Sequence, residues 1–165
     1  MKNVRIIVEG ADGAGKSTLV NRLYQYFKFQ ENHEVDKVHM RGKDTMSFPF
    51  LYHGLDKCDI IYDRHFLSEN IYSDFYNLPK RITESQRDIL MDKCRLEGIV
   101  VIVCIPQVHK MYESEDVDIK MNHSELVQAY VDIVQHYNLL VVDPMNDQFE
   151  EIIDKIKMEY NVLAI

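Results

Sequence analysis

The sequence predicts an α/β fold in which a five-stranded parallel sheet is flanked by helices, and three observations carry that prediction. Strand-sized apolar runs alternate along the chain with stretches of helical periodicity. The runs are apolar throughout rather than alternating with polar residues, the pattern of strands buried on both faces. Gly10, Gly13 and Gly15 crowd within six residues while no glycine follows Gly98, so one turn near the N-terminus needs unusual backbone freedom.

Taken in order, Val4 to Val8 is a β-branched first strand. Leu19, Leu23, Tyr26 and Phe27 then recur at helical spacing, which puts the three glycines on a strand-to-helix turn. Val35 to Met40 reads as a short second strand, and Cys58 to Tyr62 as a buried third one ending at Asp63. Thr83-x-x-Gln86 is a capping box opening a helix through Ile89, Leu90 and Cys94. Ile99 to Ile105 is the fourth strand, stopped by Pro106, and Leu139 to Val142 the fifth, stopped by Asp143-Pro144. Asn122-x-x-Glu125 is expected to open the helix between them, and Asp147-x-x-Glu150 the last helix, with Phe149, Ile152, Ile153 and Ile156 on one face. With no internal repeat or boundary visible, residues 1–165 read as a single domain. In such a sheet ligands bind beyond the carboxyl ends of the strands, here Glu9-Gly10, Met40-Arg41, Asp63-Arg64 and Asp143-Pro144.

Composition narrows the choice of function. Of 165 residues 46% are hydrophobic, enough for one continuous core. Nineteen basic against 27 acidic residues give a net charge of −8, which repels a nucleic-acid backbone, so no extended nucleic-acid binding is expected. The longest apolar runs fall well short of the roughly 20 residues of a membrane span. Met1 to Gly10 lacks the long apolar stretch and cleavage site of a secretory signal, so a cytoplasmic location is expected. Cys58, Cys94 and Cys104 have neither paired nor metal-type spacing and read as reduced, mostly buried thiols.

Gly10-Ala11-Asp12-Gly13-Ala14-Gly15-Lys16-Ser17 matches G-x-x-x-x-G-K-[ST] in full, in the strand-turn-helix setting that the motif requires. The glycines let successive backbone N–H groups converge on phosphate oxygens, and the helix beginning near Gly15 favours an anion at its positive end. Gly10, Asp12, Gly13, Ala14, Gly15, Lys16, Ser17 and Thr18 are therefore expected to hold ATP. Lys16 would neutralise the β- and γ-phosphates and Ser17 would ligate Mg²⁺. A turn that merely packs a helix on a strand explains neither Lys16 nor Ser17. The fold expected is thus the three-layer P-loop nucleoside triphosphate hydrolase type.

The stretch from Glu9 to Thr18, with an acidic residue just before the loop, resembles the opening of thymidylate kinases and of the wider thymidylate and deoxynucleoside kinase group. Tyr62-Asp63-Arg64-His65 resembles the Asp-Arg-aromatic motif at the end of their third strand, and Ser68 and Tyr72 follow at the family's spacing. The resemblance covers about the first half of the chain. It implies that Asp12 lies near the transferred phosphate, that Arg64 holds the acceptor's phosphate and that Asp63 organises the metal. An arginine fork at a strand end suits bidentate phosphate recognition and an adjacent carboxylate attracts Mg²⁺, so the residues themselves support these roles beside the plainer reading of a solvated ion pair. Arg41 is a second candidate for the acceptor phosphate. Phe48 and Phe50 lie where the related kinases stack the base and Tyr72 where they hold the sugar, with core packing as the competing explanation. Related kinases are often homodimers, and the helix through Ile89 and Cys94 offers an interface.

Two departures stand out. The related enzymes carry a basic residue in the loop or arginines in a lid after the fourth strand. Here Gly13 and Ala14 are not basic, and the lid segment 107–120 has two lysines, four acidic residues and no arginine, which leaves Lys110 or Arg41 to supply the charge. Ser73 stands where thymidylate kinases commonly have glutamine. The function expected is ATP- and Mg²⁺-dependent phosphoryl transfer to a small-molecule nucleotide, a deoxynucleoside monophosphate such as dTMP. A deoxynucleoside kinase using Glu9 or Asp63 as base, a kinase of a modified nucleotide in DNA and a nucleotide-binding regulator without turnover are the alternatives.

Overall fold

The computed structural model describes residues 3–40, 47–106 and 117–163, the side chains of 117–122 excepted. Five strands, β1 (Arg5–Gly10), β2 (Asp36–His39), β3 (Ile60–Asp63), β4 (Val100–Cys104) and β5 (Leu140–Val142), form one parallel sheet in the order β2-β3-β1-β4-β5. Helices α1 (Lys16–Gln25), α2 (Phe48–Gly54), α3 (Phe66–Phe75), α4 (Glu84–Leu96), α5 (Val117–Tyr137) and α6 (Phe149–Leu163) flank it. The α/β architecture is the expected one, and each strand lies within a residue or two of its apolar run.

Alternation along the strands sends side chains to two cores. On one face Ile7, Tyr62, Val101 and Val103 pack with Leu51, Phe66, Leu90 and Tyr130 from α2, α3, α4 and α5. On the other, Ile6, Val8, Ile61 and Ile102 pack with Leu19, Leu23, Ile152 and Ile156 from α1 and α6. Both faces of the sheet are thus dry, which is why its strands can be apolar throughout; each buried Leu or Ile contributes roughly 1.5–3 kcal/mol.

Register brings the functional ends level. Val8 and His39 both stand opposite Asp63, while Glu9 pairs with Val103 and Gly10 with Cys104. Gly10 is demanded by this packing: its φ is +140° and a Cβ there would meet the Cys104 carbonyl oxygen at 2.6 Å. After α1 the chain makes one π-turn over Tyr26–Gln30, with the Glu31 amide donating to the Tyr26 carbonyl, before it turns back toward β2.

The Thr83 capping box forms as expected, with Thr83 Oγ1 accepting from the Gln86 amide and the Gln86 side chain accepting from the Thr83 amide. Three expectations need correction. Helix α5 begins at Val117, so Asn122 lies inside it rather than at its start. Asp147 accepts the Asp143 amide and an ammonium proton of Lys155, and α6 starts two residues later at Phe149. Of the cysteines Cys94 and Cys104 are buried but Cys58 is exposed, and on α4 it is Ile89, not the buried Cys94, that reaches the surface.

Candidate active site

The loop from Gly10 to Ser17 leaves the centre of the sheet and feeds α1. Gly13 and Gly15 have φ of +78° and +82°, and the Ala14 amide closes on the Ala11 carbonyl at 3.2 Å. Lys16 is buried, and its Nζ donates to the Ala11 carbonyl at 2.6 Å; burial pushes its pKa down. A cavity of about 570 Å³ opens here, lined among others by Asp12, Lys16, Ser17, Asp63 and Arg64. Sequence-predicted residues from two distant segments, the loop with the start of α1 and the end of β3, therefore share one cavity.

Asp63 ends β3 beside Ser17. The Ser17 hydroxyl donates to Asp63 Oδ2 at 2.7 Å, while Asp63 Oδ1 is buried and has no hydrogen-bond partner. A hydroxyl next to a carboxylate with one bare oxygen fits a hard divalent cation, which binds through one or two carboxylates plus substrate phosphates. Among the described residues no group of three His, Cys, Asp or Glu side chains forms a cage that would hold a metal by protein ligands alone.

Arg64 follows with φ of +70°, in the left-handed region that a long L side chain rarely adopts, and its amide donates to the Val8 carbonyl at 2.9 Å. This turn sends the guanidinium back over the loop, where it pairs with Asp12. Its Cζ lies 4.9 Å from the centroid of the Tyr72 ring, and its Nε is buried with no hydrogen-bond partner. Arg64 thus sets a planar cation beside the phosphate loop, paired with Asp12 and lining the same cavity as Lys16.

Glu9 anchors this turn from below. It is fully buried, and its Oε1 accepts the amides of His65 and Leu67 at 2.9 and 3.1 Å; Oε2 accepts from the Ser68 hydroxyl, which contacts Tyr130 Oη at 2.9 Å. Helix α3 has no side-chain cap of its own, so Glu9 supplies a long-range one to its orphan N–H groups. Burial raises the Glu9 pKa, against the opposing effect of the Ser68 hydrogen bond.

The aromatic candidates separate. Phe48 packs against the core and lies 5.7 Å from the Tyr52 ring, whereas Phe50 is exposed and lines a second, mainly apolar cavity of about 400 Å³ with Met40, Pro49, Tyr62 and His65. Met40 lines both cavities, which makes them neighbours. Tyr72 is half-buried beside Arg64. Arg41 and residues 107–116, Lys110 with them, lie outside the described residues.

Sequence reasoning missed two contacts on the loop. His123 from α5 meets the Asp12 carbonyl at 3.0 Å, and Pro144 after β5 packs so close to Gly15 that a Cβ there would meet it at 3.1 Å. Only Asp143-Pro144 gave a signal, as a strand end.

A parallel sheet in this order with a phosphate loop at its centre is an α/β fold of the P-loop type. No protein-family model matches the sequence, and no curated protein is significantly similar to it. Solved structures share the fold. YorR protein from Bacillus subtilis, in complex with phosphorylated GDP, superposes with a TM-score of 0.72 at 18% identity over 96% of both chains. Polyphosphate kinase 2 from Arthrobacter aurescens TC1 gives 0.58 at 14% identity over 98% of this chain and 68% of its own.

Proposed function

We propose that the chain is an ATP- and Mg²⁺-dependent kinase that transfers a phosphoryl group to a deoxynucleoside monophosphate, dTMP or a close analogue, giving ADP and a diphosphate. The observation that carries this reading is Arg64, which lines the phosphate cavity with Lys16 and Ser17 and is held over the loop by Asp12 and Tyr72. One cavity then offers two anion seats, the loop amides with Lys16 for the donor and Arg64 for the acceptor.

Catalysis by positioning and charge neutralisation follows from these residues. Lys16 leaves the Ala11 carbonyl for the donor phosphates, and Arg64 exchanges Asp12 for the acceptor phosphate and aligns it. Ser17 and Asp63 would hold Mg²⁺, which would supply neutralisation of charge on the transferring phosphoryl group. The acceptor's oxygen is already an anion and needs no strong base. That suits Glu9, whose buried carboxylate is committed to the turn of α3 and is unavailable to deprotonate a nucleoside hydroxyl. Phe50 and the apolar cavity beside Met40 seat the base in this reading.

Incubation with ATP labelled at the γ-phosphate, Mg²⁺ and, separately, each deoxynucleoside and each deoxynucleoside monophosphate tests the proposal. Label is expected in a nucleoside diphosphate. Label that reaches only water, or only the 5′-hydroxyl of a free nucleoside, contradicts it.

A further inference from the structure

The carboxylate of Asp63 has a partner that the motif does not explain. His39, the last residue of the edge strand β2, places its Nδ1 2.9 Å from Asp63 Oδ2, the oxygen that also accepts from Ser17. Three elements thus converge on one group: α1 brings Ser17, β2 brings His39 and β3 brings Asp63. The parallel register that sets His39 opposite Asp63 fixes the approach. His39 is half exposed and lines the phosphate cavity with Lys16, Ser17 and Arg64. Beside a carboxylate oxygen, Nδ1 acts as the donor.

The strand itself does not need this contact. β2 is already paired with β3 over four residues, and the Met40 amide donates to the Asp63 carbonyl at 3.0 Å. What the contact does is occupy Oδ2 from two sides, so the carboxylate cannot rotate freely and its orientation beside Ser17 is fixed.

We infer that His39 is a positioning residue for the divalent cation, fixing through Oδ2 the orientation of the Asp63 carboxylate that, with Ser17, would hold the ion. This rests on the cation site of the proposed kinase and adds to it a residue outside both sequence motifs. Outer partners of metal-binding carboxylates typically carry 10–100-fold in metal affinity.

Mn²⁺ serves as the probe, its free concentration read by electron paramagnetic resonance in the presence of ADP, with ADP affinity in the absence of metal measured alongside. The wild type is expected to bind Mn²⁺ with ADP more tightly than ADP alone does, and Asp63→Asn to remove that gain. His39→Ala is expected to weaken Mn²⁺ by about 10–100-fold with metal-free ADP affinity unchanged. His39→Asn, which keeps an N–H donor, is expected to recover most of the loss. Wild-type Mn²⁺ affinity in His39→Ala overturns the inference while leaving the cation site standing. Loss of metal-free ADP binding in both His39 variants also overturns it, because the histidine then supports the loop itself. A wild type that adds nothing to the Mn²⁺ affinity of ADP, with Asp63→Asn no different, overturns the cation site and the inference together.

Discussion

Arg64 and Asp12 form an ion pair that bridges the end of β3 and the middle of the phosphate loop. The pair holds the guanidinium in the cavity that Lys16 and Ser17 line, and the backbone bends to allow it, Arg64 having φ of +70°.

Function and stability should therefore part company at this position. Glycine takes a positive φ without the roughly 1–2 kcal/mol that an L side chain incurs, so Arg64→Gly should unfold at higher urea than Arg64→Ala. Both should lose acceptor-dependent turnover. Arg64→Lys keeps the charge but not the fork, and a rise of about tenfold or more in the acceptor KM is expected, with ATP affinity little changed. Steady-state kinetics beside urea unfolding check all three.

Glu9 should act as a structural cap. Glu9→Ala leaves the amides of His65 and Leu67 buried without an acceptor, and a loss of about 2–4 kcal/mol is expected, together with a higher acceptor KM because Arg64 heads the same turn. Glu9→Gln retains a carbonyl for those amides and should keep most of the stability and turnover. Turnover abolished in a well-folded Glu9→Gln would instead make Glu9 the base of a nucleoside kinase.

How much of this was legible in sequence depended on range. Strand ends, the phosphate loop and the Thr83 cap are written in consecutive residues, where apolar runs, glycines and capping types act locally. The start of α5 was hidden because Val117, Ile119 and Met121 alternate with polar residues, a period-two pattern that does not look helical. Glu9 could be noted as the acid before the loop, but its partners lie at 65, 67 and 68, and only the β1–β3 register brings them to it. His39 carried no signal at all, being a single histidine whose meaning depends on Asp63 opposite it. Phe48 and Phe50 read alike in sequence, yet two residues apart on a helix they diverge by about 200°, one toward the core and one toward the cavity.

His65 gives a pH dependence with a definite sign. Its ring is buried, neither nitrogen has a hydrogen-bond partner, and burial takes its pKa from the usual 6.5 down to about 3. Between those values the unfolded chain binds a proton that the folded chain refuses. The contribution is therefore complete above pH 6.5 and is lost as pH falls toward 3, at up to about 1.4 kcal/mol per pH unit. Urea unfolding of wild type and His65→Phe from pH 7 to pH 4.5 should show the wild type losing stability faster by about that slope. Parallel pH profiles would contradict a neutral buried imidazole.

The kinase reading is tested most directly by acceptor-dependent ADP release at saturating ATP and Mg²⁺, across a panel of nucleosides and deoxynucleoside monophosphates. The account predicts that a monophosphate stimulates release, that Lys16→Ala lowers it by about 10²–10³-fold and that Arg64→Ala removes the stimulation. ATP binding without stimulation by any monophosphate, or stimulation that survives Arg64→Ala unchanged, would contradict it.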